Sequence, residues 1–493
     1  MELGKSRQSS NKNLIIKDLD LVYMSTFDLG REVNPRLLIP DFQKISLVKG
    51  VLSEAEEKTW PERPKGDKRL YAFAGIDKST YDYEFVRKGK FIRLELEPLW
   101  VILPGLSDFA HVEVFLSIYE IGIGALSFWL CFEDESLSVQ ELINLENVWN
   151  IYHSEAKVRL SSYCAEYLFG FFPSARVELQ KDQSQITLKQ SFGRIFYYCY
   201  VVPVLEVILG KDLRRRGVEE NREFLAREIA ESIRYPGWSA YSVVSIRKTA
   251  PMYRTIRKLI EDHPRETYSL IRREVPPEYV KDEDLVRYIN SKIQNGYMFC
   301  TMPTHLLVID LNNRDERRFL EMKIRTLVVV EILRVKRRII RLLEYLLSDY
   351  EATFLERDIG YLANLRDFVW KGIEEYHNLK TSAYSVYFDE YLKGLDAMGI
   401  SELYELMSRR FDYLDRRVMS THIVALATKE ARRIVEILSL VLGSLVIAEI
   451  ASNFATWYFR PIKMPSAIWW TAVSFLVVLT IVMAVYITVT RKR

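Results

Sequence analysis

The chain has 493 residues, 49% of them hydrophobic, and its 69 Lys and Arg residues against 66 Asp and Glu residues leave a net charge of +3. Since a domain usually has about 100–200 residues, this length corresponds to roughly two to four structural units. The apolar content excludes a disordered protein, and the near-neutral charge excludes one that binds nucleic acid through its overall charge. We therefore expect a globular chain with no nucleic-acid partner.

Residues 1–312 show the mixed pattern of an α/β or α+β body, in one or two lobes. Apolar runs rich in β-branched and aromatic residues favour strands, and longer segments between some of them have the spacing of helices. The predicted strands cover residues 14–23, 69–75, 91–103, 111–119, 125–132, 241–247 and 305–311, and the predicted helices cover 138–149, 218–234 and 282–294. The polar residues before Asn13 are not typical of a secretory signal peptide, so we expect this body in the cytosol.

Residues 313–433 have a different composition, which is typical of long helices. Residues 315–350 contain neither Gly nor Pro and carry apolar side chains at helical spacing beside a charged face. A second helical stretch covers about 362–395, and a third begins near residue 401 and has no Gly or Pro before Gly443. A helix of that length is not stable alone. We therefore predict a helical bundle and stalk whose partners are neighbouring helices or further copies of the chain.

Two apolar runs near the C-terminus predict transmembrane helices. The first, residues 437–458, is interrupted mainly by Glu449 and Asn453, and the second, residues 467–490, has no charged side chain. Because about 20 apolar residues cross the hydrocarbon core, we predict transmembrane helices at 434–458 and 467–490, joined by a short outer loop at 459–466. Basic residues flank both runs on the side away from this loop, which predicts a multi-pass protein of the cell membrane with both termini in the cytosol.

The order of these segments resembles that of the CorA family of divalent-cation channels. The shared features are two long helices, a stalk helix that continues into the first of two spans, a very short outer loop and a basic tail. Members of that family carry Tyr-Gly-Met-Asn at the end of the first span, followed shortly by Met-Pro. Here residues 458–461 read Tyr-Phe-Arg-Pro, and Met464-Pro465 follows. The Gly-Met-Asn triplet, which forms the family's outer selectivity site, is absent, so the resemblance is to a divergent member.

The resemblance implies both a fold and a function. The fold would be an α+β cytosolic domain followed by a long helical stalk and two C-terminal transmembrane helices, with five copies around one ion pore. Divergent members that lack the triplet accompany type III CRISPR systems, which implies a channel opened by a nucleotide second messenger in antiviral defence. A conventional member would instead transport a divalent cation such as Mg²⁺. The residues alone also leave open a non-conducting binding module that its spans anchor to the membrane.

One face of the first predicted span has the chemistry of a pore lining. Its polar residues, at helical spacing, are Glu449, Ser452, Asn453 and Thr456. A carboxylate within a membrane is costly unless it is hydrated or paired, so we predict that this face lines a water-filled pore. An apolar constriction is predicted to gate that pore, and its residues are Leu442, Leu445 and Val446. The alternative is that the polar groups hydrogen bond to a neighbouring helix.

A dense basic stretch on the first long predicted helix is a candidate ligand site. The predicted ligand-binding residues are Arg334, Arg337, Arg338 and Arg341. Their charge suits the phosphate of a nucleotide messenger or a surface near anionic lipid. The alternative is a solvated helix face that pairs with Glu331 and Glu344 at helical spacing. The four cysteines stand singly and no metal ligands can be assigned. No catalytic motif is found, so we predict that the protein is not an enzyme.

Overall fold

The chain is described here by a computed structural model. It covers residues 13–29, 32–52, 73, 80–81, 89–102, 109–132, 136–149, 155–171, 180–182, 185–191, 195–209, 240–280, 285, 291–293, 296–302, 305–311, 316–353, 359–381, 387–458, 474–475 and 478–479. The predicted helix 218–234, the predicted outer loop 459–466 and nearly all of the predicted strand 69–75 and of the predicted span 467–490 lie outside these described residues. The chain divides into two compact units, Met1–Glu356 with Leu365–Phe411, and Arg357–Asn364 with Asp412–Arg493.

A mixed sheet forms the centre of the first unit. Its described strands are β1 (Ile15–Asp28), β2 (Val48–Leu52), β3 (Phe91–Ile102), β4 (Ala110–Tyr119), β5 (Ile123–Phe132), β6 (Leu137–Ser138), β7 (Glu155–Ser161), β8 (Gln180–Asp182), β9 (Gln185–Ser191), β10 (Ala240–Ala250), β11 (Ser291–Ile293), β12 (Gly296–Met302) and β13 (His305–Ile309). These thirteen strands follow the order β11-β12-β13-β10-β1-β5-β4-β3-β7-β9-β8, with β2 beside β3 and β6 beside β1. Among the described pairs, only β10 and β13 are parallel.

The predicted strands of the sheet centre are found close to their predicted bounds. The predictions 91–103, 111–119 and 125–132 correspond to β3, β4 and β5 and differ from them by at most two residues at either end. The predicted helix 282–294 is wrong at its end, because Ser291–Ile293 is the edge strand β11. Its pairing with β12 supplies the backbone hydrogen bonds that decide this segment's structure.

The two faces of the sheet differ in chemistry. Side chains alternate between the faces along each strand, and on β1 the residues Leu19 and Leu21 belong to the apolar core while Asp18 and Asp20 point the other way. The same alternation on β3 sends Leu94 to the core and Arg93 to the opposite face. The sheet therefore has one apolar face and one face that carries charged, polar and aromatic side chains.

Short helices cover the apolar face. They are α1 (Pro35–Phe42), α2 (Val139–Trp149), α3 (Ser162–Phe171), α4 (Val202–Leu209, preceded by a π-helical segment, Ile195–Val201), α5 (Ile256–Asp262) and α6 (Pro264–Arg272). Their buried side chains, among them Leu142, Leu168 and Leu259, join those of the strands in one continuous core. Burial of this apolar area, at about 25 cal/mol per Å², is the main stabilising contribution to the first unit.

A glycine-containing hairpin joins β4 and β5 at the centre of the sheet. Gly122 has a φ of +84°, a left-handed conformation that side chains with a Cβ rarely adopt. Two residues later, Gly124 pairs with Phe27 of β1, and a Cβ at this position would lie 2.4 Å from the Phe27 ring. The missing side chain at Gly124 therefore lets the Phe27 ring pack directly over β5.

A long helix, α7 (Glu316–Thr353), lies on the polar face of the sheet. It is followed along the chain by α8 (Ile359–Asn378), α9 (Phe388–Ala397) and the first turns of α10 (Ile400–Tyr458). The helix predicted over 362–395 is in fact α8 and α9, because the chain leaves the helix after Asn378 and pairs with Tyr81 through Thr381. Gly394 allows α9 to approach α7 closely, since a Cβ there would lie 2.4 Å from Leu333.

The predicted membrane spans are wrong for the described part of the chain, where no helix has the length and the apolar character that crossing a membrane requires. The first predicted span is the C-terminal part of α10. Glu436 and Glu449 bound a charge-free run of only twelve residues there, against about 20 for a crossing. The predicted fold class with two transmembrane helices and the predicted multi-pass location in the cell membrane are corrected accordingly. The first unit itself is an α+β fold.

Candidate functional site

The residues predicted to line a pore lie on the part of α10 that belongs to the second unit. Glu449 and Asn453 are exposed, while Ser452 and Thr456 lie on the same helix with side chains outside the described part of the chain. The predicted gate residues Leu442, Leu445 and Val446 are 58%, 54% and 54% exposed. The three gate residues therefore form part of an apolar helix surface. The role of the gate and of the polar residues in a pore stays a prediction.

The predicted ligand-binding arginines of α7 have different surroundings. Arg334 and Arg338 are buried, and the guanidinium carbon of Arg334 lies 5.3 Å from the centroid of the Tyr241 ring on β10. Burial lowers the pKa of Arg334 to about 10. Arg341 is partly exposed, and its Nη1 donates to Glu344 Oε2 at 2.8 Å. The four predicted guanidinium groups, with Arg337 partly buried between them, are thus not gathered on one open surface.

A buried network joins α7 to the polar face of the sheet. Arg93 Nη1 donates to Glu331 Oε2 at 2.7 Å and to Ser117 Oγ at 2.8 Å. The Tyr119 hydroxyl donates to Glu331 Oε1 at 2.5 Å and lies 2.7 Å from the Tyr81 hydroxyl. Arg93 and Glu331 are each 2% exposed. The carboxylate of Glu331 is therefore neutralised by β3, a partner far away in sequence, and not by an arginine of its own helix.

The protonation states within this network favour a structural role. Burial, and next the negative charge of Glu331, raise the pKa of Tyr119 well above its usual value, so the phenol stays protonated and donates. The guanidinium carbon of Arg93 also lies 4.5 Å from the centroid of the Phe73 ring, a favourable cation–π arrangement. A buried ion pair is stabilising only when such additional partners are present.

A second charged contact joins the start of α7 to β1. Asp20 accepts hydrogen bonds from Lys323 Nζ and from Trp129 Nε1, the latter at 3.1 Å. Burial lowers the pKa of Lys323 to about 8, and the nearby Asp18 opposes this shift. The acidic residues of β1 therefore supply the counter-charge for a basic helix that packs on a sheet.

Lys336 is a buried basic residue of α7 that was not among the predicted ligand-binding residues. It is 3% exposed, and its Nζ donates to the main-chain oxygen of Tyr376 at 2.5 Å. The same nitrogen lies 3.8 Å from the centroid of the Tyr376 ring and 5.7 Å from that of Tyr391. Within the described residues, no carboxylate forms an ion pair with Lys336. In the sequence, Lys336 is one of several basic residues in the same stretch of α7. Their spacing does not indicate which side of the helix is buried, so the burial of Lys336 could not be predicted.

The surroundings of Lys336 change its proton affinity. Burial, and then the positive charge of Lys380, lower the pKa of Lys336 to about 7. The adjacent His377, whose Nε2 lies 2.8 Å from the Tyr404 hydroxyl, has a pKa lowered by burial and by both lysines. An amine in this state exchanges its proton near neutral pH, which is the chemistry that the arrangement offers.

Replacing Lys336 with methionine is expected to remove a pH dependence of stability. The native pKa is about 7 against 10.5 for the free side chain, so between these values the unfolded chain binds more protons and wild-type stability rises with pH. Below pH 7 the full cost of burying the ammonium is present, and we expect Lys336→Met to be more stable than wild type there. The difference should shrink through this window in urea titrations at several pH values. Lys393→Met, at an exposed lysine paired with Asp389, should leave the slope unchanged, and an equal slope in Lys336→Met would contradict the assignment.

The exposed part of α10 carries a regular apolar stripe. Its members, separated alternately by three and four residues, are Val424, Ala427, Ala431, Ile434, Leu438, Val441 and Leu445, and all of them are exposed. We call this set the α10 seam. Along its first half the other sides of the helix carry charges, including Arg432, whose Nε lies 3.7 Å from Glu436. The apolar run from residue 437 predicted a span, and the seam was not predicted, although its spacing begins well before that residue.

No metal site can be assigned in the described part of the chain, where no three His, Cys, Asp or Glu side chains lie close enough together to hold an ion. Comparison with known protein families, with curated proteins and with solved structures finds no match to this chain. The resemblance to the CorA family therefore stays a prediction from the residues.

Proposed function

We propose that this chain is an interaction protein, not an enzyme, and that several copies of it assemble through the α10 seam. The observation that carries the proposal is the 3-4 spacing of seven exposed apolar residues between Val424 and Leu445. This spacing is the one that coiled coils use, because it keeps an apolar stripe facing a partner helix over many turns. A helix of 59 residues also needs tertiary or quaternary partners, since packing of an apolar face supplies most helical stability.

The exposed apolar area of α10 is large enough for a stable interface. Ten large apolar side chains between residues 434 and 450 are each between 46% and 63% exposed. At about 100 Å² each they offer on the order of 1,000 Å² per chain, and a stable interface buries about 800 Å² per partner. Exposed apolar patches of this size mark interaction surfaces.

The residue types along the seam favour more than two copies. The spacing puts Leu438 and Leu445 at the first core position of the heptad, and Ile434 and Val441 at the second. Leucine at the first position with a β-branched residue at the second favours trimers and tetramers over dimers. Apolar residues such as Val435 and Leu442 widen the stripe, so that one partner helix does not cover it.

A homo-oligomer is also what the sequence predicted. The predicted channel, the predicted magnesium transport and the membrane-anchored module all depend on membrane spans and form no part of the proposal. The predicted nucleotide messenger was assigned to four arginines of the first unit, of which two are buried and two partly buried, and it stays a prediction.

Replacing Leu438 with lysine is expected to dissociate the assembly. Leu438 is 52% exposed in the single chain, so the substitution has little effect on the fold of that chain, whereas it puts repelling charges at the centre of the seam. Sedimentation velocity of the full chain should give at least three times the 58.0 kDa of one chain for wild type, and a single-chain mass for Leu438→Lys.

Glu436→Lys is the matched control. It introduces the same side chain two residues away, outside the seam and next to Arg432, and we expect the assembly to persist. A wild-type chain that sediments as a monomer at every concentration would overturn the proposal. So would an assembly that Leu438→Lys leaves intact.

A further inference from the structure

A short and largely exposed segment follows α6 and is held at both of its ends. At its start Arg273 ends the helix in a left-handed conformation, φ +58°, and Glu274 accepts hydrogen bonds from the Tyr268 hydroxyl at 2.7 Å and from Arg272 Nε at 3.1 Å. At its end Val280 is 7% exposed and belongs to the apolar core. Residues 275–279, which read Val-Pro-Pro-Glu-Tyr, connect these two fixed points and are exposed except for the half-buried Pro276; we call this segment the arch.

The arch exposes apolar side chains that a folded chain normally buries. Val275 is 83% exposed and Tyr279 is 76% exposed. Within the described residues, the Tyr279 side chain makes no hydrogen bond and no ring contact. The neighbouring Val280 is a member of the apolar core, whereas Val275 and Tyr279 are not. Packing of the first unit therefore does not account for these two side chains.

The backbone of the arch is fixed in advance by its two prolines. Each proline ring holds φ near −65° and removes an N–H donor. Val275 and Pro276 both precede a proline, which restricts them to extended or polyproline II conformations. Neither a helix nor a strand includes residues 275–279. The segment therefore loses little conformational entropy when a partner binds it.

We propose that residues 275–279 are a docking segment for a protein module whose aromatic-lined groove accepts a polyproline II segment followed by a tyrosine. Such grooves bind the flat proline rings between aromatic side chains and gain affinity because the ligand is already extended. Pro276 and Pro277 would occupy this groove, and Tyr279 would fill a separate apolar pocket and donate its hydroxyl. The inference is independent of self-assembly, since the arch belongs to the first unit and the seam to the second.

The probe for a test is an isolated WW domain of the class that binds Pro-Pro-x-Tyr peptides. Titration calorimetry of the full chain with this domain should show saturable binding. We expect Tyr279→Ala and Pro277→Ala each to weaken it at least about tenfold, equivalent to 1.4 kcal/mol. Both positions are exposed, so neither substitution should unfold the chain, and unchanged circular dichroism checks this.

Tyr345→Ala is the matched control, because it removes another exposed tyrosine, 47% exposed on α7, and should leave the affinity unchanged. A synthetic peptide of residues 273–281 gives a second comparison, and the full chain should bind the domain at least as tightly as this peptide does. Failure of the full chain to bind while the peptide binds would show that the arch is not presented, and would overturn the inference. Equal affinity of wild type and Tyr279→Ala would overturn it as well.

Discussion

Replacing Glu331 with alanine is expected to destabilise the first unit by about 3–5 kcal/mol, the usual cost of removing one partner of a buried ion pair. Arg93 and Glu331 are each 2% exposed and are joined at 2.7 Å. Without the carboxylate, the guanidinium keeps Ser117 as an acceptor but has lost its counter-charge in a region that water does not reach. Tyr119 loses an acceptor in the same substitution. Urea unfolding followed by circular dichroism should show a lower midpoint with an unchanged slope.

The double variant Arg93→Met with Glu331→Leu separates the charge from the packing. Replacing both members of a buried pair with apolar residues of similar volume is often neutral or stabilising. We therefore expect the double variant to recover most of the stability that Glu331→Ala loses. If the free energy of unfolding of Glu331→Ala stays within about 1 kcal/mol of wild type, the ion pair contributes as little as an exposed one. Arg93 and Glu331 would then not form the buried network.

The strands at the centre of the sheet could be predicted from sequence because side chains of its two faces alternate along each strand. Along β4 the side chains alternate between core residues such as Val114 and Leu116 and opposite-face residues such as Ser117 and Tyr119. A period of two is readable from a few consecutive residues. The order of the strands and the edge strand β11 were not readable, since pairing joins segments that are far apart in sequence.

The partners of the charged residues of α7 could not be predicted from the spacing of residues along the helix. The alternative to a ligand site paired Glu331 with basic residues at helical spacing, a rule that applies to a helix in water. In the structure, residues 326–336 are all buried, because the sheet covers one side of α7 and α8 and α9 cover the other. Each charged side chain then needs a partner from another element, and Glu331 finds Arg93, 238 residues away. No spacing rule identifies such a partner.

The apolar part of α10 was assigned to a membrane for a related reason. An apolar composition indicates that a helix surface will be buried, but it does not indicate whether lipid or protein buries it. The run from residue 437 satisfied a count of apolar residues, while Glu449 interrupts it after twelve positions. The spacing of the seam from Val424 onward was equally present in the sequence, and it is the basis of the proposal that further helices cover this surface.

Trp129 lies at the junction of the apolar and charged contacts on the polar face of the sheet. Its side chain, on β5, is 1% exposed and meets the rings of Phe73 and Phe115, each at 6.3 Å between centroids. Lys323 Nζ lies 5.6 Å from the centroid of its ring, and Trp129 Nε1 donates to Asp20 at 3.1 Å. One side chain therefore fills the space between sheet and α7 and also helps to hold the carboxylate that neutralises the lysine.

Replacing Trp129 with alanine is expected to cost about 3–5 kcal/mol from the cavity alone, as for other buried aromatic residues. The lost hydrogen bond to Asp20 adds about 1 kcal/mol, because the carboxylate stays buried beside Lys323. Trp370→Ala is the matched control, since Trp370 is 50% exposed and touches Phe411 edge-on, and we expect it to change stability by less than about 1 kcal/mol. Thermal and urea unfolding of the two variants should therefore differ widely. Equal losses would mean that α7 does not close over the sheet at Trp129, and the polar face would then be open to water.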